Sequence, residues 1–171
     1  LAAVAYVKGL PDRPAIDAGQ VDAAVAAMLA PFEGTGREDP YAIHADLQEC
    51  MHALVGIVRT EGELRKALEE IAVLQERLGR VRVDGGRDLD PGWHLSLDLH
   101  AMLTVSEATT RAAVERRESR GCHTRADYPF TDDAYGKLNL VVRRTDGRMS
   151  VTRQPLPEMP EELRRLVRDR T

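Results

Sequence analysis

Hydrophobic residues recur at helical spacing in three stretches of the chain, at about residues 39–58, 60–78 and 90–117. The apolar positions are Ile43, Leu47, Cys50, Met51, Leu54, Ile57 and Val58, then Leu64, Leu68, Ile71, Leu74 and Leu78, and finally Leu95, Leu99, Met102, Leu103, Val105, Ala108, Ala112 and Ala113. Side chains three and four residues apart share one face of a helix, so each stretch predicts an amphipathic helix. The loops between them are short, which predicts an up-down-up, spectrin-repeat-like three-helix bundle over residues 37–126.

Each predicted helix has a recognisable start. Asp39-Pro40 and Asp90-Pro91 place an N-cap carboxylate before a proline at the first helical position. Thr60-Glu61-Gly62-Glu63 has the spacing of a capping box, in which the hydroxyl and the carboxylate bond each other's backbone amides. Gly79 and the Asp84-Gly85-Gly86 turn end the second helix.

The N-terminal region, residues 1–36, is peripheral to this bundle. Two alanine-rich segments, Leu1–Lys8 and Ala18–Phe32, predict two short helices, the second capped by Asp17. Few large side chains are available to pack, and the chain begins at Leu1 without an initiator methionine. We interpret this region as an arm or the remnant of a link to an upstream domain.

The C-terminal region, residues 127–171, has no helical periodicity until its end. Lys137–Arg144 and Met149–Arg153 alternate weakly around Asp146-Gly147, which predicts a β-hairpin. A proline-rich tail follows, and Glu161–Arg168 predicts a short terminal helix. The region is therefore expected to contain a loop, a hairpin and a tail.

The composition is typical of a mainly α domain. Of 171 residues, 43% are hydrophobic but only 4% are aromatic, which favours packed helices over sheets. The net charge of −4 argues against binding to nucleic acid. The two cysteines, Cys50 and Cys122, argue against a disulfide scaffold and indicate a cytoplasmic protein. No apolar run reaches about 18 residues, so we expect no membrane span.

The sequence predicts no catalytic, cofactor-binding or metal site in this chain. Gly34-Thr35-Gly36 lacks the third glycine and the following helix of a phosphate-binding loop. His44 and His52 lie near Cys50, but their spacing matches no zinc motif. Cys50 lies on the apolar stripe, where we expect a small buried side chain.

One segment has more arginines than a simple helix end requires. Its arginines are Arg111, Arg116, Arg117, Arg120 and Arg125, interleaved with His123 and Asp127, and Tyr128, Phe130 and Tyr135 follow closely. Cations at a helix C-terminus complement the dipole, and Gly121 would supply a left-handed cap. Arginines beside aromatics are also typical of a docking or ligand surface. The residues alone leave both interpretations open.

The same segment carries a resemblance to a known family. Arg117-Glu118-Ser119-Arg120-Gly121-Cys122-His123-Thr124-Arg125-Ala126-Asp127-Tyr128-Pro129 resembles the R-x-S-R-G-x-H-x-R-x-D-[FY]-P signature of the succinate dehydrogenase/fumarate reductase flavoproteins. That family also includes L-aspartate oxidase. The similarity covers about Asp39 to Asp133, including the helix start at Val58–Glu61. Residues 1–9 resemble the helix that closes the family's FAD-binding domain.

The resemblance implies that the chain is the C-terminal domain of a FAD-dependent oxidoreductase. The FAD-binding fold and the catalytic residues would lie upstream, and electrons would leave through an iron–sulfur subunit, so this fragment alone would be non-catalytic and without FAD. The motif residues would be interdomain docking contacts on the FAD-binding domain: Arg117, Ser119, Arg120, Gly121, His123, Arg125, Asp127 and Tyr128. In the isolated chain, such a segment should be mobile or buried by self-association. The parent would be cytoplasmic, held at the inner face of the membrane by partner subunits.

Two departures from the family pattern bear on its subdivision. Cys122 replaces a small residue, and Tyr135-Gly136-Lys137 stands where succinate dehydrogenases usually carry a tryptophan. The hairpin and tail nevertheless resemble succinate dehydrogenase or fumarate reductase more than L-aspartate oxidase, which is the first alternative. A free-standing helical interaction module is the second.

Overall fold

A computed structural model describes residues 2–10 and 15–168 of the chain. The elements in chain order are α1 (Ala2–Lys8), α2 (Ala18–Glu33), α3 (Pro40–Leu54), β1 (Val58–Arg59), α4 (Glu61–Leu78), α5 (Pro91–Glu115), β2 (Thr124–Arg125), a 3-10 turn (Tyr135–Lys137), β3 (Leu138–Thr145), β4 (Arg148–Pro155) and α6 (Glu161–Arg168). The prediction of a mainly α chain with a C-terminal hairpin and terminal helix is confirmed.

Helices α3, α4 and α5 pack against one another around a single apolar core. The side chains of Ile43, Leu64, Ile71 and Leu99 are fully buried in it. Its other members include Leu47, Cys50, Ala67, Leu74, Leu78, Leu103 and Ala113. The stripe predicted for α5 is too wide, because Val105 is 64% exposed on the outer side of the bundle.

The predicted helix starts are confirmed by their hydrogen bonds. Asp39 Oδ1 accepts from the amide of Tyr41 (2.9 Å), and Asp90 Oδ1 accepts from the amide of Gly92 (2.7 Å). The Thr60–Glu63 capping box is complete, since each side chain bonds the other residue's backbone amide. These contacts satisfy amides that the first turn of a helix otherwise leaves without partners.

Helix α3 is shorter than the periodicity predicts, because it ends at Leu54 and not at Val58. The chain turns at Gly56, where a Cβ atom would lie 2.8 Å from the carbonyl oxygen of His52. Ile57 and Val58 are consequently exposed. Beyond the turn, β1 pairs in parallel with the distant strand β2.

Helix α5 ends at Glu115, before the predicted end at Arg117. Its C-cap is Arg116, which has an extended backbone. Gly121 has a positive φ of 58°, but it lies in the turn between Arg120 and His123. The prediction that Gly121 caps this helix was therefore wrong.

The N-terminal helices extend from the bundle. Helix α2 contacts it near its C-terminal end, where Trp93 Nε1 donates to the Met28 carbonyl (2.7 Å) and Phe32 packs against the Trp93 ring. Val21 and Val25 on α2 are about half exposed, and every residue of α1 is exposed. Asp17 caps α2 as predicted.

Strands β3 and β4 form an antiparallel hairpin that contacts α5. Asp146 and Gly147 at its tip both have positive φ, as a type I′ turn requires. The hairpin position predicted from Asp146-Gly147 is confirmed. Within the described residues, the helices are too short or too polar to cross a bilayer.

Candidate functional site: the arginine segment

The arginine segment, defined as residues 116–135, is anchored by a fully buried cation, Arg125. Its Nε and Nη2 donate to the two carboxylate oxygens of Asp127, each at 2.8 Å. Its Nη1 donates to the Ala113 carbonyl in the last turn of α5 (2.9 Å). The bond from Arg125 holds the pKa of Asp127 far below its usual range. Arg125 therefore caps the C-terminal end of α5, the role that the helix-end interpretation had given to Gly121.

A buried anion, Glu118, gathers the next part of the segment around itself. Its carboxylate is fully buried and accepts hydrogen bonds from Arg116, from Arg120 Nε (3.1 Å) and from the amide of Asp132 (2.9 Å). Burial alone would raise the pKa of Glu118, but these donors outweigh it and the pKa is lowered. The carboxylate is therefore ionised and fully bonded inside the chain.

His123 lies between a donor and an acceptor. Arg59 Nη1 donates to His123 Nδ1 (2.7 Å), and His123 Nε2 faces the Arg116 carbonyl at 2.9 Å. A guanidinium only donates and a carbonyl only accepts, which assigns the neutral tautomer protonated on Nε2. Burial lowers the pKa of His123, and the charge of Arg59 lowers it further.

The segment also joins the ends of two helices. Asp127 Oδ2 accepts from the amide of Glu61 at the start of α4 (2.9 Å). The Ser119 hydroxyl donates to the Tyr128 carbonyl and accepts from the Arg125 amide, both at 2.9 Å. The start of α4 and the end of α5 are thus tied through one loop.

Tyr135 connects the segment to the hairpin and was not among the predicted site residues. Its hydroxyl donates to the Glu115 carbonyl (2.7 Å) and accepts from Arg153 Nη2 (2.9 Å). The guanidinium groups of Arg116 and Arg153 lie over its ring. The sequence offered one signal for this position, because Tyr135-Gly136-Lys137 stands where succinate dehydrogenases usually carry a tryptophan. The structure shows that the Tyr135 ring is packed there.

The eight predicted docking residues differ in how far they are exposed. Arg125 is fully buried, whereas Ser119, His123 and Tyr128 are half-buried. The exposed members are Arg117, Arg120, Gly121 and Asp127. Cys122 and Phe130, which are also exposed, lie beside them. Their role as interdomain contacts stays a prediction.

These contacts bear on the two interpretations of the arginines, as cations that complement the end of α5 or as a docking or ligand surface. The Ala113 carbonyl in the last turn of α5 accepts from Arg125, and the carbonyl of the C-cap Arg116 accepts from His123. The side chains of Arg116 and Arg117 instead face Glu118 and Glu61. The segment is held by contacts within its own chain, which argues against the expectation that it is mobile when isolated, and self-association through it stays a prediction.

The other positions considered for cofactor or metal chemistry, Gly34-Thr35-Gly36 and Cys50, lie outside the arginine segment. Gly34-Thr35-Gly36 lies between helices α2 and α3, where a dinucleotide loop would follow a strand. Cys50 is buried, and burial raises the pKa of its thiol to about 12, so the thiol is protonated at neutral pH. Among residues 2–10 and 15–168, no three His, Cys, Asp or Glu side chains are grouped to hold a metal ion.

Comparison with known proteins identifies the family. A family described as "Fumarate reductase flavoprotein C-term" matches residues 44–165. The chain belongs to this family. The match includes the whole arginine segment, so the resemblance of residues 117–129 to the family signature is confirmed.

Individual relatives agree with this assignment. The chain is 38% identical over 125 residues to a fumarate reductase flavoprotein subunit of Mycobacterium tuberculosis, covering 72% of this chain and 21% of the relative. It is 33% identical over 131 residues to a succinate dehydrogenase flavoprotein subunit of Coxiella burnetii, covering 76% of this chain and 22% of the relative. The chain thus spans about a fifth of the length of these relatives.

A solved structure shows the same fold. Sdh1 of Mycobacterium smegmatis, solved in complex with UQ1, superposes with a TM-score of 0.89 at 42% identity. The superposition covers 94% of this chain and 28% of the Sdh1 chain. The fold of the bundle, the arginine segment and the hairpin is therefore shared with part of a much longer chain.

Proposed function

We propose that this chain is the C-terminal helical domain of a FAD-dependent flavoprotein subunit that interconverts succinate and fumarate. The observation that carries the proposal is the family match over residues 44–165, together with relatives named as fumarate reductase and succinate dehydrogenase flavoprotein subunits. The hairpin and tail beyond the motif favour this assignment over L-aspartate oxidase, as the sequence comparison with the family suggested.

The domain's own task would be to brace the flavin domain. The buried pairs around Arg125 and Glu118 keep the arginine segment in one conformation. A surface already held in one conformation loses little entropy on docking. Arg117, Arg120 and Gly121 would then contact the upstream FAD-binding domain, while Arg125 acts by positioning them. Ser119, His123, Asp127 and Tyr128 complete this docking set.

Residues 1–36 would connect this domain to the upstream one, with 37–126 as the bundle and 127–171 as the loop, hairpin and tail. The exposed Val21 and Val25 on α2 support a second contact with another part of the protein, because half-exposed aliphatic side chains gain from burial.

The chemistry would belong to the parent protein. FAD, held by the upstream domain, would exchange a hydride with the substrate. An iron–sulfur subunit would take up or supply the electrons, and the complex would lie in the cytoplasm at the inner face of the membrane. This chain would contribute a rigid, charged docking surface to the FAD-binding domain and no catalytic group.

The visible spectrum of the full-length gene product tests this proposal. We expect flavin absorbance that bleaches when succinate is added. Bleaching with L-aspartate instead would move the assignment to L-aspartate oxidase. A colourless protein would contradict the flavoprotein assignment and leave a helical interaction module.

A contact test addresses the docking role. In the full-length protein, Arg117→Glu reverses an exposed charge of the docking set whose ion-pair partner, Glu61, is also that of Arg65, and it should loosen the domain, seen as faster proteolysis between the two domains. Arg65→Glu, an exposed change on α4 outside the segment, is the matched control. Equal proteolysis of both variants would argue against the docking face.

A further inference from the structure

A second concave site lies away from the arginine segment, between the outer side of α4 and α5 and the tip of the hairpin. It is a cleft of about 650 Å³. Its charged and polar walls include His100, Glu107, Arg111, Arg144 and Arg148. Its volume is in the range of small-molecule sites in proteins.

The cleft holds more positive than negative charge. Glu107 is occupied by its neighbours, since it accepts from Arg111 Nε (2.7 Å) and from Gln75 Nε2 (3.0 Å). Among the described residues, no carboxylate lies within ion-pair distance of Arg144 or Arg148. Three guanidinium groups therefore face one carboxylate, which leaves a surplus of two positive charges.

This surplus stands out against the rest of the molecule. The hairpin, residues 138–155, carries four arginines and one aspartate, whereas the whole chain has a net charge of −4. Leu78, Leu103 and Met149 form the apolar part of the wall. Because the guanidinium groups line one concave surface, their potentials add there, so the attraction for an anion is greatest inside the cleft.

We propose that this cleft binds a small organic anion carrying at least two negative charges, as phosphate or carboxylate groups. Arg144 and Arg148 form no direct ion pair among the described residues, although the charge of Arg144 acts on Glu107 across the cleft and helps to lower the pKa of that carboxyl. Arg111 uses only its Nε on Glu107, which leaves its terminal nitrogens for the ligand. Guanidinium groups bind phosphate and carboxylate oxygens in pairs, which suits such a ligand. The site is separate from the succinate–fumarate chemistry and does not depend on it.

Calorimetric titration of the 171-residue chain with pyrophosphate and with citrate, at constant ionic strength set by NaCl, tests the site. Saturable binding of either anion is the expected result. Stronger binding of pyrophosphate would identify a phosphate-bearing ligand, and stronger binding of citrate a polycarboxylate. The absence of saturable heat with both anions up to millimolar concentrations would overturn the proposal.

Single variants place the binding in the cleft. Arg144→Gln should weaken it about tenfold, because one charged hydrogen-bond donor is lost. Arg143→Gln is the matched control, since it removes the same charge from the neighbouring residue of β3, which does not line the cleft. Equal weakening by both variants would show that only the net charge of the hairpin matters, and would overturn the site.

A measurement on the unmodified chain covers the case in which Arg144→Gln unfolds the hairpin. The imidazole signals of His100 in NMR should shift on titration, while those of His94, on the same helix but outside the cleft, should not. Equal shifts at both histidines would contradict a located site.

Discussion

The three-helix bundle and the arginine segment lie side by side but are held by different forces. The bundle buries aliphatic side chains such as Ile43, Leu64 and Leu99, and its stability comes from apolar surface removed from water. The segment buries two ions, Arg125 and Glu118, each with several hydrogen bonds. Apolar packing tolerates many sequences, whereas a buried ion requires specific partners. Arg125 and its partner Asp127 are signature residues, whereas Glu118 stands at an unspecified position of the signature.

The largest effect is expected in the bundle. Leu99→Ala removes a fully buried side chain and should lower the free energy of unfolding by about 3–4 kcal/mol, through lost burial and a residual cavity. Urea denaturation followed by circular dichroism measures it. Met102→Ala, on the same helix and 37% exposed, is the control and should cost far less. Similar costs for both variants would contradict the proposed core.

The second substitution tests the contrast between apolar core and buried ions, because it removes one buried ion and leaves the apolar core of the bundle unchanged. Arg125→Met should lower the free energy of unfolding by about 2–3 kcal/mol, since Asp127 loses its partner and the last carbonyls of α5 lose their donor. The same denaturation experiment measures it.

The control for this variant is Arg65→Met, which breaks an exposed pair with Glu61 four residues away. Such pairs contribute about 0.3–0.5 kcal/mol. If Arg125→Met were no more costly than Arg65→Met, the buried pair would not hold the segment.

The smallest effect is a pH dependence confined to the segment. The pKa of His123 is lowered in the folded chain, so the folded state favours the neutral ring. Its contribution to stability is complete above the ordinary histidine pKa of about 6.5 and is lost as pH falls from there toward the folded pKa. His123→Gln keeps a donor and an acceptor without titrating, so it should flatten the pH dependence of the urea midpoint just below about pH 6.5. An unchanged profile would show that His123 does not couple to folding.

Features that depend on neighbouring residues could be predicted from the sequence, whereas features that depend on distant contacts could not. The caps at Asp39, Thr60 and Asp90 and the hairpin at Asp146-Gly147 depend on residues close in sequence, and local patterns predicted them. The ends of α3 and α5 depend on contacts distant in sequence. β1 pairs with a strand more than sixty residues away, and the end of α5 is capped by Arg125. Periodicity cannot report such contacts.

The site was predicted only as a set of motif residues. Charged residues after a helix are usually exposed, so no sequence rule singled out Glu118 and Arg125 as fully buried ions. Two partners of the segment come from outside the thirteen-residue motif. Arg59 bonds His123, and Tyr135 bonds Arg153 of the hairpin. Only the folded chain brings these partners together.

Amide hydrogen exchange on the isolated 171-residue chain tests the central claim, that the arginine segment is ordered by its own ion pairs. The amides of Ser119, Arg120 and Arg125 donate to Phe130 O, His123 O and Ser119 Oγ at 2.8–2.9 Å. We predict that they exchange slowly, as the amides in the middle of α5 do. Exchange at the rate of an unstructured peptide, while α5 stays protected, would contradict the account and show that the segment needs a partner to fold.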